Sequence, residues 1–179
     1  MRKGWFVLKD QTGERSVDEQ LLGLEDVVSE ISGKSVLDLG CAEGAILFHM
    51  KQHGAGRCLG YEGNLEHFDA AKKLLANTGC EVEWRDLNND HGFALEWDVV
   101  LLLAILHKLH DPEKGLRQFV EACRDLLVIR LPIGSEGAFK SKHRKAWVDT
   151  RAVLTDLGFN LLKDADGPRG ERVHIWRRA

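Results

Sequence analysis

Residues 37 to 44 read LDLGCAEG, and Glu62 follows 22 positions after Gly40. Such a turn, leaving a strand and opening a helix, brings backbone close to a ligand because Gly40 carries no side chain. The helix N-terminus behind it offers N–H groups. An acid about 20 residues past the turn can accept the hydroxyl hydrogens of a ribose. Together they suit an adenosine-containing cofactor. The plainer alternatives are an ordinary strand-helix link and a solvated strand end.

These residues need elements that hold them. Residues 35–39 (SVLDL) read as a buried strand before the turn, and Ile46, Leu47 and Met50 mark one face of the helix after it. Residues 57–62 (RCLGYE) read as the second strand, 80–85 (CEVEWR) as the third, 97–103 (WDVVLLL) as the fourth and 126–131 (LLVIRL) as the fifth. Helices fall between them. Asn64 caps one carrying Leu65, Phe68 and Leu75. Asp111 and Pro112 open another with a capping side chain and a proline at the first position. Ahead of the strands, Ser16 and Glu19 fit a capping box, and Leu21, Leu24, Val28 and Ile31 predict one helix ending at Gly33. Trp147, Leu154 and Leu157 predict a late helix ending at Gly158. Two extended runs, 159–163 and 171–177, flank a turn rich in Asp, Gly and Pro. Alternating strands and helices predict an α/β fold with a parallel sheet covered on both faces, closed by an antiparallel C-terminal hairpin.

Size and composition agree. The 179 residues fit one core, and 44% hydrophobic with 30% charged residues is ordinary globular usage. The longest apolar run, 99–106, falls far short of the ~20 residues of a membrane helix. The N-terminal MRKGWFVLKD lacks the apolar core of a signal peptide. Cys41, Cys58, Cys80 and Cys123 form no CxxC pair, so no metal site is expected and free thiols of a cytoplasmic protein are. A net charge of −3 does not point to a polyanion partner.

The ordered set resembles the class I S-adenosylmethionine-dependent methyltransferases. LDLGCAEG is similar to their first motif, with Ala42 where glycine is usual. YEGN at 61–64, WRDL at 84–87, WDVVLLLAILHKLHDP at 97–112 and LTDLGFNLL at 154–162 continue the likeness over roughly residues 34–179. The family's frequent Pro-Gly-Gly turn before the fifth strand is missing, since EACRDLLV at 121–128 runs straight on. The resemblance implies a three-layer Rossmann-like fold, a mostly parallel sheet of about seven strands with a C-terminal antiparallel hairpin. Residues 1–33 would form an arm and helix, and 34–179 the cofactor-binding domain. It implies S-adenosylmethionine as cofactor. Gly40, Cys41, Ala42 and Gly44 would line its amino-acid part, Asp38 would orient the turn, and Glu62 would hold the ribose. Asp86 and the Leu87 N–H would meet the adenine, and the Ala104 carbonyl the amino group of the methionine part.

A sulfonium methyl is already activated, so the protein must mainly align an acceptor and exclude water. His107 and His110 are candidate bases, although packing or helix entry is the stronger reading for each. Arg130, at the end of the fifth strand, is a candidate anion contact, with a surface ion pair as the alternative. Lys140, Lys142, Arg144, Lys145 and Arg151 form a basic run. Such a run is usually a solvated face. Beside the acceptor mouth, Lys142 and Arg144 become candidate contacts for an anionic substrate. Residues 1–20 could supply a short cover on that side. The expected partner is a small molecule, with RNA as the runner-up and no membrane. A non-catalytic cofactor-binding module and a nicotinamide-dependent oxidoreductase are the remaining alternatives.

Overall fold

The computed structural model describes residues 4–6, 13–89, 96–135, 137–140 and 147–179. In chain order the elements are β1 (Gly4–Phe6), β2 (Gly13–Arg15), α1 (Val17–Leu21), α2 (Glu25–Ser29), β3 (Val36–Leu39), α3 (Ala45–Gln52) and β4 (Cys58–Glu62). There follow α4 (Leu65–Leu75), β5 (Cys80–Trp84), β6 (Trp97–Leu103), α5 (Pro112–Glu121) and β7 (Cys123–Leu131). The chain closes with β8 (Ala138–Lys140), β9 (Trp147–Asp149), α6 (Thr150–Asp156), β10 (Phe159–Asp166) and β11 (Arg172–Arg178).

Seven strands form one sheet in the order β10-β11-β7-β6-β3-β4-β5. From β7 to β5 all pairings are parallel. β11 runs antiparallel to both β7 and β10, as a closing hairpin requires. Alternation along β3, β6 and β7 divides the core between two faces. Leu37, Leu39, Val100 and Ile129 pack with Phe119, Leu154 and Trp176 on one. Val36, Leu101 and Val128 pack with Leu24, Leu47 and Met50 on the other. Two buried faces explain why these strands read as continuous apolar runs. Among the described residues, no helix is long and apolar enough to cross a membrane.

The caps read from sequence are made. Ser16 Oγ accepts from Glu19 N at 3.0 Å, Asn64 Oδ1 from Glu66 N at 2.9 Å, and Asp111 Oδ1 from Lys114 N at 3.3 Å. Four expectations change. The predicted helix over 16–33 is two short helices, because Gly23 adopts φ +84°. A Cβ there would lie 2.9 Å from the Asp166 carbonyl oxygen, so the hairpin packs against a break that only glycine allows. Trp147 belongs to β9, and α6 starts only at Thr150, capped by Asp149 Oδ1 on Ala152 N at 3.0 Å. β7 begins at Cys123, one residue after the cap of α5, which leaves no room for a Pro-Gly-Gly turn. β10 runs on to Asp166, so the turn is confined to the residues around Pro168–Gly170.

Candidate functional site

A cavity of about 490 Å³ opens at the carboxyl ends of β4, β3, β6 and β7. That is where ligands collect in open α/β sheets, and the size falls in the range of small-molecule sites. Asp38, Gly40, Cys41, Ala42, Glu62, Ala104, His107 and Arg130 all line it, so the Gly40 turn and the ends of four strands meet around one space.

The turn after β3 is stitched to the end of β4. Gly40 N and Cys41 N both donate to the Tyr61 carbonyl, at 2.8 and 3.1 Å, and Ala42 N donates to Glu62 Oε2 at 2.8 Å. These three N–H groups are therefore used within the protein. Gly40 has φ +83°, and a Cβ on it would lie 2.9 Å from Ile105 Cδ1. Ala42 and Ala104 take φ of +50° and +58°, left-handed backbone that L-residues seldom adopt. Both sit on the cavity wall, where such strain tends to collect.

Glu62 is 9% exposed and accepts one backbone bond on each oxygen, from Ala42 N and from Asn64 N at 2.7 Å. Each oxygen keeps a further lone pair for a ligand hydroxyl. Asp38 is 2% exposed, and its Oδ1 has no hydrogen-bond partner. Burial, with help from the Glu62 charge and against the pull of Arg130, pushes its carboxyl up to about 7. The Cys41 thiol is raised by burial and by Asp38 and Glu62, so it stays a neutral wall group.

Other expected residues lie elsewhere. Gly44, with φ +78°, ends the turn as the cap of α3, and its missing Cβ makes room for Leu75. Asp86 and Leu87 do not line the cavity. Asp86 accepts from Asn88 N at 3.0 Å and from Asn89 Nδ2 at 2.6 Å, contacts that hold its carboxyl below the usual range. It lies just past Gly63, whose Cβ would meet Asp86 Cα at 3.6 Å. His110 is exposed outside the cavity, and its N–H donates to Asn88 Oδ1 at 2.8 Å. His107 instead lines both the cavity and a neighbouring groove of about 240 Å³ formed by residues 132–135 and 138–140. Lys142, Arg144 and Lys145 lie outside the described residues. Arg151 turns away into an ion pair with Asp164 at 2.6 Å.

Arg130 is 3% exposed, so it is no surface ion pair. It donates to Gln20 Oε1 at 2.8 Å and to the Gln20 carbonyl, and faces Glu171 Oε2 at 3.8 Å. Burial draws its guanidinium down to about 10. Gln20, Arg15 and Glu171 also line the cavity and were missed from sequence, since no local pattern links residue 20 to residue 130. The expected cover from residues 1–20 is represented by Arg15 and Gln20. Gly60 was missed too. A Cβ on it would lie 2.5 Å from Cys41 Sγ, so it makes room for the turn. Its signal was a glycine inside a fully buried strand.

Two tRNA U34 carboxymethyltransferases are 26% identical to the chain. The one from Campylobacter lari matches over 101 residues, 55% of this chain and 35% of that protein. The one from Desulfotalea psychrophila matches over 128 residues, 69% of this chain and 40% of that protein. The chain thus spans two-fifths or less of these curated relatives. Among solved structures, magnesium protoporphyrin IX methyltransferase from Synechocystis with bound SAH aligns with a TM-score of 0.70 at 17% identity, over 87% of this chain and 82% of that one. An S-adenosylmethionine-dependent methyltransferase from Mesorhizobium loti aligns with a TM-score of 0.68 at 17% identity, over 86% and 96%. A family model described as a methyltransferase domain matches residues 37–126, the stretch from β3 into β7 that carries the turn and Glu62. The chain belongs to that methyltransferase domain family and has its class I, Rossmann-like fold.

Proposed function

We propose that the protein transfers a methyl group from S-adenosylmethionine to a small, anionic acceptor. The observation that carries this is the joining of the Gly40 turn to Glu62 around a cavity that also holds the unpartnered Asp38 Oδ1. These residues fit the cofactor. Glu62 has lone pairs left for two hydroxyls, Gly40 leaves room for close approach, and Asp38 offers an acceptor to an ammonium group. The adenine would extend past Gly63 toward Asp86 and Leu87. Gly44 would hold the turn in place, and the Ala104 carbonyl would face the amino group.

When bound, the cofactor supplies an electrophilic methyl on a positively charged sulfur. The chain's own residues bind it, keep water out and orient the acceptor. His107 lies where the cavity meets the groove of residues 132–135 and 138–140. From there it would take a proton from an acceptor. The acceptor would lie in that groove, beside Lys140.

RNA is the second reading, favoured by the relatives named as acting on tRNA. Methyl-labelled S-adenosylmethionine incubated with separated small-metabolite and RNA fractions tests the two. Label in acidic small molecules supports the first. Label in RNA, with binding that weakens steeply with salt, supports the second. Label in neither would contradict both.

A further inference from the structure

Cys58 and Cys80 are the first residues of β4 and β5, at the ends of these strands away from the cavity. They are register partners on adjacent parallel strands, so their side chains share one face of the sheet. On that face they pack with Leu47 and Met50 of α3, and Cys80 Sγ lies 3.9 Å from the Leu47 carbonyl oxygen. Strands about 4.7–4.9 Å apart bring such a pair within the Cα separation of a disulfide, about 4.4–6.8 Å. Both thiols are free, and Cys58 donates a hydrogen bond to Cys80. They differ in access. Cys58 is wholly buried, whereas Cys80, on the edge strand of the sheet, is half-buried. Lys51, in the last turn of α3, reaches over both strand starts. Its Nζ donates to the Gly56 carbonyl at 2.5 Å, two positions before Cys58. A Cβ on Gly79, next to Cys80, would lie 3.7 Å from the same atom. The Cys58 hydrogen bond and the Lys51 ammonium outweigh partial burial and bring the Cys80 thiol down to about 7. The same bond, with burial, raises Cys58. An accessible thiolate beside a neutral thiol is the arrangement in which disulfides form. Burial raises Cys41 and Cys123 instead, which keeps them neutral.

We infer that Cys80 and Cys58 form a redox-modification site, in which a hydroperoxide oxidises Cys80 and Cys58 then closes a disulfide with it. The Cys80 sulfur attacks the terminal oxygen of the hydroperoxide. The O–O bond breaks, an S–O bond forms, and the leaving oxygen takes a proton to become an alcohol, or water where the oxidant is hydrogen peroxide. The sulfur gives up the two electrons that the peroxide gains. Cys58, releasing its proton, attacks the sulfenic sulfur of Cys80. The S–S bond forms, the S–O bond breaks, and water leaves with that proton. The cross-link fastens the edge strand β5 to β4, the strand that ends at Glu62. This site is separate from the cavity and does not depend on the cofactor reading.

The folded, reduced protein is treated with equimolar hydrogen peroxide, and the remaining thiols are blocked with N-ethylmaleimide. The parent should lose two of its four thiols. Peptide mapping by mass spectrometry should find Cys58 joined to Cys80, a link that dithiothreitol reverses. Cys58→Ser should stop at the Cys80 sulfenic acid, which dimedone captures. Cys80→Ser should keep all its thiols at a peroxide dose that closes the parent disulfide. Should Cys58→Ser fail to fold, the linked peptide of the parent decides the matter alone. A parent in which Cys41 or Cys123 is consumed before Cys80 would overturn the inference. So would one in which Cys80 proceeds to the sulfinic acid while Cys58 stays free, or pairs with a second chain. A parent that keeps all its thiols in excess peroxide would overturn it as well.

Discussion

Asp38 and Asp164 are carboxylates on strands of the same sheet, and the protein treats them in opposite ways. Asp164, on β10, accepts from Arg151 Nη2 at 2.6 Å and Arg172 Nε at 2.9 Å, and lies 3.3 Å from the ring of the fully buried His174. Partial burial pushes its carboxyl up. The Arg172 hydrogen bonds and the charges of His174, Arg172 and Arg151 outweigh this and hold it below the usual range. Asp38, on β3, has one oxygen with no donor, faces the like charge of Glu62, and sits near 7. One acid is satisfied by the fold and joins the hairpin to α6. The other keeps one oxygen without a donor, a feature that a buried acid in a functional site would have.

The two acids therefore have opposite linkage to pH. A carboxyl raised in the folded state binds more protons there than when unfolded, so its contribution to stability falls as pH rises from about 4 to about 7. A lowered carboxyl such as Asp164 stabilises above the ordinary carboxylate range and loses that contribution on acidification. The largest expected effect is at Asp38. In the ligand-free protein at pH 8, Asp38→Asn should raise stability by roughly a few kcal/mol, because the folded parent must there ionise a carboxyl that burial pushes up to about 7. The gain should vanish near pH 4. Urea unfolding of parent and variant across this range checks it, and a variant less stable at pH 8 would remove the contrast.

Gly40→Val comes next. A branched side chain at φ +83° must also displace Ile105, 2.9 Å from the Cβ position. Binding of S-adenosylhomocysteine should become undetectable, while a melting scan shows how much of the loss is folding. Glu62→Ala removes a charged acceptor and frees the Ala42 and Asn64 N–H groups, and should weaken the same ligand by about 1.5–3 kcal/mol. Asp164→Ala should cost about 1–3 kcal/mol of stability and leave ligand affinity unchanged. A change in affinity there would blur the division between the two acids.

What was legible in the sequence followed the same division. The Gly40 turn, Glu62 and the caps at Asn64 and Asp111 are local patterns, readable from spacing alone. The amphipathic spacing from Leu21 to Ile31 was also real, since Leu24 and Ile31 are buried. It concealed a break at Gly23 imposed by the hairpin about 140 positions later, at Asp166. The bond from Arg130 to Gln20 spans 110 positions, and no periodicity reports it. Arg130 stood out as a charge at the end of the fifth strand, but its partner, and hence its role, depended on tertiary packing. Likewise the basic run after β7 looked uniform in sequence, whereas the fold commits Arg151 to Asp164.

If the cavity between the Gly40 turn and Arg130 is a cofactor site, the unpartnered oxygen of Asp38 awaits a cationic group. Calorimetric titration of the parent protein with S-adenosylhomocysteine at pH 6 and pH 8 tests it most directly, with NAD as the competing ligand. Asp38 must be ionised to meet an ammonium, so binding should be one-to-one, tighter at pH 8, and not reproduced by NAD. Equal affinity at both pH values would contradict the role of Asp38. Binding of NAD in place of S-adenosylhomocysteine would contradict the site itself.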